Sequence, residues 1–212
     1  MTKTFEKWKI DELHQLFGLN RIFQQFEPLA DWLDTKPNTL SETDRKALEK
    51  IRVELSENAE NWNEDELKFL FISHLISISD LRTGLVKIFT QRPLTALING
   101  IKLTGIVDFV MATGIAEPQE PYFFLHEYKQ ERKGSNDPLA QLLAEMLVAQ
   151  HLNHEPRPIY GCYVMGRFWF FVVLAGTQYA VSDAFTATST DLFQITLILR
   201  KIRQLIETQI ET

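Results

Sequence analysis

The sequence predicts an α/β fold, an α+β arrangement built on a mixed sheet, with helices before the sheet and one after it. Three observations predict it. Up to about residue 80 the apolar residues recur at helical spacing, as in Leu67, Leu70, Phe71, His74, Leu75 and Ile78. Beyond Asp80 the period changes to short β-branched and aromatic runs, with Asn99-Gly100 a strong two-residue hairpin turn between them. From Ser189-Thr190-Asp191 the helical period returns: Leu192, Ile195, Leu199, Ile202 and Ile206 share one face, with Arg200, Lys201 and Arg203 on the others.

In chain order, Trp8, Leu13, Leu16 and Phe17 predict a first amphipathic helix that Gly18-Leu19-Asn20 breaks, and Ile22, Phe23, Phe26 and Leu29 predict a second. Pro37-Asn38 marks a loop. Ser41-Glu42-Thr43-Asp44 resembles a capping box ahead of Ala47, Leu48, Ile51 and Leu55, a third helix. Asn63 fits an N-cap, and Glu64, Asp65 and Glu66 suit the first turn of the helix that follows, where the exposed N–H groups favour negative charge.

Short strands are expected at 85–89 and 94–98, then at 105–110 and 121–129, the last two separated by turn chemistry that includes Thr113-Gly114 and Pro118. A polar loop from Gln130 ends in Asp137-Pro138, an N-cap with proline at the first helical position, ahead of a helix carrying Leu139, Leu142, Leu143, Met146 and Leu147. Ile159–Met165, Phe168–Leu174 and Gln178–Val181, joined by Gly166-Arg167 and Gly176-Thr177, read as an antiparallel meander. The aromatic run Phe168-Trp169-Phe170-Phe171 alternates poorly, as expected of a central strand covered on both faces.

Three charges interrupt the two strands on either side of the 113–121 break. Asp108 lies between Val107 and Phe109, where an ionised carboxylate is expensive unless it is paired or binds a metal. In the next strand side-chain alternation puts Phe123, Leu125, Glu127 and Lys129 on one face, and Tyr122, Phe124, His126 and Tyr128 on the other.

Asp108, eighteen residues, then Glu127-Tyr128-Lys129 resembles the signature of the PD-(D/E)XK nuclease superfamily, with Val107 where that family has proline. The resemblance spans residues 63 to 165, over which the predicted order helix, strands, helix, strand matches the family's αβββαβ, restriction-endonuclease-like core. It divides the chain into an N-terminal helical extension, 1–60, packed on a nuclease-like domain, 61–212. It implies a metal-dependent nuclease acting on nucleic acid, with DNA the preferred expectation. Asp108, Glu127 and the Tyr128 backbone carbonyl would hold Mg²⁺ or Mn²⁺, and Lys129 would orient the attacking water and stabilise charge at phosphorus. Members of the family often lend an acid from the opening helix, for which Glu66 is preferred to Glu64. Some carry a glutamine in the helix after Glu-x-Lys, matched by Gln141, with tyrosine four residues on where this chain has Glu145.

The residues alone leave another account open: Asp108 and Lys129 as a structural ion pair, with Glu127 facing solvent. Two alternatives to an enzyme follow, a non-catalytic protein-interaction or structural module on the same fold and an unrelated α+β binding protein.

The 212 residues, 45% hydrophobic, suffice for one sizeable core. Net charge is −6, and residues 1–80 carry all of that excess, with ten Lys/Arg against sixteen Asp/Glu. This argues against a surface that coats DNA generally and makes the acidic N-terminal helices a candidate face for a protein partner. Arg132 and Lys133, just after the motif, are two cations suited to phosphate contact. One cysteine, Cys162, rules out an intrachain disulfide. No stretch approaches membrane-spanning length and no secretory leader opens the sequence, so a cytoplasmic location is expected. His151 and His154 lack partners at metal-ligand spacing, and no phosphate-binding glycine loop or nucleophile elbow occurs.

Overall fold

The computed structural model describes residues 1–36, 38–82, 84, 86–131, 137–153 and 157–211, without the side chains of 209–211. Arg132, Lys133 and His154 lie outside the described residues.

The first residues are part of the sheet. Strand β1 (Thr2–Thr4) runs parallel to Lys102–Thr104. Helix α1 (Ile10–Phe17) ends at Gly18 in the left-handed conformation, φ 69°. The helix expected from Ile22 begins later, because the preceding backbone is already engaged. Strand β2 (Asn20–Arg21) lies beside Gln178-Tyr179, and the N–H groups of Asn20 and Ile22 donate to the carbonyls of Thr177 and Tyr179, both at 2.8 Å. Helix α2 is therefore Glu27–Leu33, and Phe23 stands exposed. Helix α3 (Glu42–Asn58) starts with the predicted capping box between Ser41 and Asp44.

Asn63 caps a helical rod of three parts: α4 (Glu64–Glu66), a π-helical turn over Leu67–Ile72, and α5 (Ser73–Ser79). A π turn holds one extra residue and so rotates the face that follows. Ile72 is buried and His74, expected on the apolar stripe, is exposed.

The two short strands expected at 85–89 and 94–98 are one, β3 (Lys87–Ile98), bent at Gln91, φ 52°. The Asn99-Gly100 turn leads into β4 (Ile101–Thr113), antiparallel to β3 along its length. Strand β5 (Gln119–Lys129) pairs antiparallel with β4 only as far as Phe109 opposite His126. Helix α6 (Pro138–Leu152) then crosses over to β6 (Ile159–Met165), which is parallel to β5. Strands β7 (Phe168–Ala175), β8 (Gln178–Val181) and β9 (Phe185–Thr186) continue antiparallel, and α7 (Asp191–Glu211) closes the chain. The fold is thus mixed α/β, with the described residues forming a nine-stranded mixed sheet between two helical layers. On one face α2, α3, α5 and α7 cover Phe109, Phe124 and Phe171; on the other α1 and α6 cover Val110, Leu125 and Val172. Trp32 of α2 packs edge-on against Phe124, Tyr160 and Phe171, and its indole N–H donates to the Ile198 carbonyl at 2.9 Å. Residues 1–60 thus contribute two strands and a central core residue to the sheet they pack on. Among the described residues, no helix is long and apolar enough to cross a membrane.

Alternation along the strands slips twice. Leu103 and Val107 share the α6 face with Val110 and Ala112, so β4 changes parity across Asp108, opposite the bend at Gln91. A bulge near Ala112 and Tyr122 turns Phe123 to the same side as Phe124, away from the face predicted for it; from Phe124 to Tyr128 the predicted alternation holds.

Gly105 is a point of contact between the layers: a Cβ there would lie 2.4 Å from the Phe5 ring. Gly105→Ala is therefore expected to destabilise the protein by about 1–3 kcal/mol through overpacking. Denaturant unfolding checks this, and a second change of Phe5→Leu should restore part of the loss.

Candidate functional site

The site begins where β4 and β5 part. A strand N–H that leaves its ladder needs another acceptor. Beyond the Phe109–His126 pair, the Tyr128 N–H donates to Asp108 Oδ2 at 3.1 Å. Asp108 Oδ1 accepts from Lys68 Nζ at 2.8 Å and from Gln91 Nε2 at 2.7 Å. One carboxylate thus ties together the helical rod, the bend of β3 and the free end of β5.

From Asp108 the charges continue inward. Lys68 bridges Asp108 and Glu64, the latter at 2.6 Å, four residues before it on the rod. Glu64 faces Lys129 at 3.9 Å, and Lys129 forms an ion pair with Glu127. Glu127 is only 1% exposed, and among the described residues its Oε2 has no hydrogen-bond donor. Behind it, on α6, lies Glu145, fully buried; its Oε1 accepts from Gln141 Nε2 at 3.3 Å and its Oε2 has no donor. Gln141 is buried too, and its own Oε1 lacks a donor.

Burial and the neighbouring Asp108 carboxylate push the Glu127 pKa up to about 8, against the opposing pull of Lys129. Burial, then Glu127, holds the Glu145 carboxyl well above its ordinary range. Burial alone would lower Lys68 and Lys129, but Asp108 and Glu64 beside the first and Glu127 beside the second hold both above the usual lysine value. Formally the cluster sets four carboxylates, Glu64, Asp108, Glu127 and Glu145, against two ammonium groups, Lys68 and Lys129. Among the described residues it is two positive charges short, and burial together with the neighbouring acids favours the protonated forms of Glu127 and Glu145.

Asp108, Glu127, Lys129 and Gln141 thus belong to one connected cluster. Glu66 does not: its carboxylate accepts from the Asn63 N–H at 2.8 Å, closing the cap of the rod, and its neighbour Glu64 is the acid that turns toward the strands. The open alternative fails on geometry as well, since Asp108 pairs with Lys68, and Glu127 is buried. Sequence reasoning missed Lys68, Gln91 and Glu145. The signal for Glu145 was legible: it is a lone acid inside the apolar run Leu142–Ala149. Lys68 was marked only by its four-residue spacing from Glu64, and Gln91 by nothing short of the pairing register.

Outside this cluster, His126 sits in a ring of aromatic side chains that includes Phe109, Phe124, Tyr128 and Trp169, and burial lowers its pKa to about 3. It is a neutral packing residue. A cleft of about 1100 Å³ opens from Asp108 and Lys68 along the helical rod and β3.

Among the described residues, no three His, Cys, Asp or Glu side chains stand close enough to form a ready-made metal cage. Lysine ammonium groups lie between the carboxylates, bridging Glu64 to Asp108 and Glu64 to Glu127. In its donors and its charge the set nevertheless fits a hard divalent cation: all are oxygens, and among the described residues buried oxygens of Glu127 and Glu145 have no hydrogen-bond donor and two positive charges are lacking. No protein-family model matches the chain, and no curated protein matches its sequence.

The raised Glu127 pKa carries a stability signature. Between its ordinary value of 4.5 and about 8 the folded state keeps a proton that the unfolded chain releases. Its contribution is therefore full below about pH 4.5 and is lost as pH rises through about 8. Glu127→Gln is expected to flatten the fall in melting temperature across that window; urea or thermal unfolding at pH 5, 6.5 and 8 checks it.

Proposed function

We propose that the protein is a metal-dependent nuclease that hydrolyses phosphodiester bonds of nucleic acid, on a restriction-endonuclease-like αβββαβ core. The observation that carries the reading is the charge deficit among the described residues: Glu127 on β5 is joined through Lys129, Glu64 and Lys68 to Asp108 on β4, and Glu145 is buried nearby on α6, with two positive charges too few. Such a deficit is costly unless protons or a cation fill it. The element order supports the core: rod, then β3, β4 and β5 antiparallel in turn, then α6 and a β6 parallel to β5.

On this reading Asp108, Glu127 and the Tyr128 carbonyl would hold Mg²⁺ or Mn²⁺, which would supply neutralisation of phosphate charge and acidification of a water. Lys129 hydrogen-bonds the attacking water and stabilises charge gathering on the phosphoryl oxygens. Glu127 keeps Lys129 protonated and aimed. Glu145 and Gln141, bonded to each other on α6, supply the buried polar surroundings of Glu127. Lys68 and Gln91 hold Asp108 at the strand fork.

A second reading, a non-catalytic binding module on the same fold, is favoured by one observation: Asp108 already has three donors.

Purified protein with single- and double-stranded DNA and RNA and Mg²⁺ or Mn²⁺ is expected to release cleavage products, with a loss of about 10²-fold or more in Lys129→Ala. Mg²⁺ is expected to raise the melting temperature of the parent and not of Asp108→Ala, since a ligand that binds only the native state stabilises it. Inertness of the parent together with no melting shift would favour the binding module.

A further inference from the structure

Taking the nuclease reading as its premise, we propose that the cleft beside Asp108 receives an unpaired stretch of nucleic acid, so that the strand presented for cleavage is single-stranded or frayed. The cleft runs between the helical rod and β3, with Asp108, Lys68, Gln91 and Tyr128 at one end. Its walls are largely apolar, made by residues such as Ile72, Ile76 and Ile88. On the rim stands Phe69, 75% exposed, next in sequence to the lysine that holds Asp108. The π turn carries both: Lys68 reaches the carboxylate, while Phe69 is among the residues that line the cleft. Two exposed cations, Arg82 and Lys87, also line it, together with the acids Asp65 and Asp80.

This combination discriminates between nucleic-acid forms. A duplex shows phosphates and groove edges and keeps the flat faces of its bases stacked inside, so an apolar wall and an exposed phenyl ring gain little from it. An unpaired base offers that face. Aromatic rings take it by stacking while nearby cations follow the backbone, the pattern of single-strand binding. A volume of about 1100 Å³ is of the class that encloses a small organic molecule, the scale of a nucleotide or two and not of a double helix. Stacking on Phe69 would lay the adjoining phosphate toward Lys68 and Asp108.

The test uses the full chain in EDTA, where binding is read without cleavage. Fluorescence anisotropy compares a labelled twelve-nucleotide single strand with a blunt hairpin of the same base composition. The single strand is expected to bind about tenfold or more tightly, and Phe69→Ala to lose about tenfold on it with the hairpin unchanged. Phe23→Ala, which removes an exposed phenyl ring outside the cleft lining, serves as the control and should change neither. Equal or tighter hairpin binding, or an unaltered single-strand affinity in a folded Phe69→Ala protein, overturns the inference. A parent that cleaves duplex regardless of Phe69 keeps the nuclease and overturns the cleft assignment. Single-strand binding that depends on Phe69 in a protein that cleaves nothing keeps the cleft assignment and overturns the nuclease.

Discussion

The structure around the site depends on one carboxylate filling a gap in a β ladder. Where β4 and β5 diverge, the Tyr128 N–H loses its strand partner, and Asp108 supplies an acceptor. An orphaned N–H there would carry the penalty of an unsatisfied buried donor, about 1–3 kcal/mol. The same carboxylate also takes Lys68 from the rod and Gln91 from the bend of β3. Three elements far apart in sequence are thereby fixed to one point, from which the cleft between the rod and β3 opens and the charge cluster continues to Lys129.

Local irregularities cluster at this point. The rod is π-helical where it supplies Lys68, β3 takes a left-handed residue at Gln91, and β4 changes its side-chain parity across Asp108. Each departs from the regular element that its neighbours form. Together they turn polar groups toward one another from surroundings that are otherwise apolar, and they leave Phe69 unburied. Irregular turns of this sort are drawn to places where geometry is demanded by something other than stability.

Deeper in, electrostatics replace geometry as the organising term. Glu127 and Glu145 come from different elements, β5 and α6, and are both buried with an oxygen lacking a donor. Lys129 alone does not balance them. Two carboxyl groups forced together in a low-dielectric interior retain protons that either would release in water. The proposed nuclease chemistry rests on a cation taking the place of those protons. Apolar replacements of similar size would serve stability as well or better.

Much of this was legible in the residues. The hairpin turn at Asn99-Gly100, the caps at Ser41, Asn63 and Asp137, and the alternation of His126, Glu127 and Tyr128 follow from local rules that operate over a few residues. So did the oddity of Asp108, Glu127 and Lys129, since charge inside an apolar strand is anomalous wherever the strand lies. What the sequence could not decide was anything set by pairing between distant segments. The helix expected from Ile22 starts only at Glu27, because the edge of β8 takes the hydrogen bonds of residues 20–22. The choice of Glu64 over Glu66 turned on which carboxylate was consumed by the cap, and Lys68, not Lys129, became the partner of Asp108 because the rod lies across the fork. Local preference is written residue by residue, whereas the partner of a buried charge is fixed only when separate elements meet.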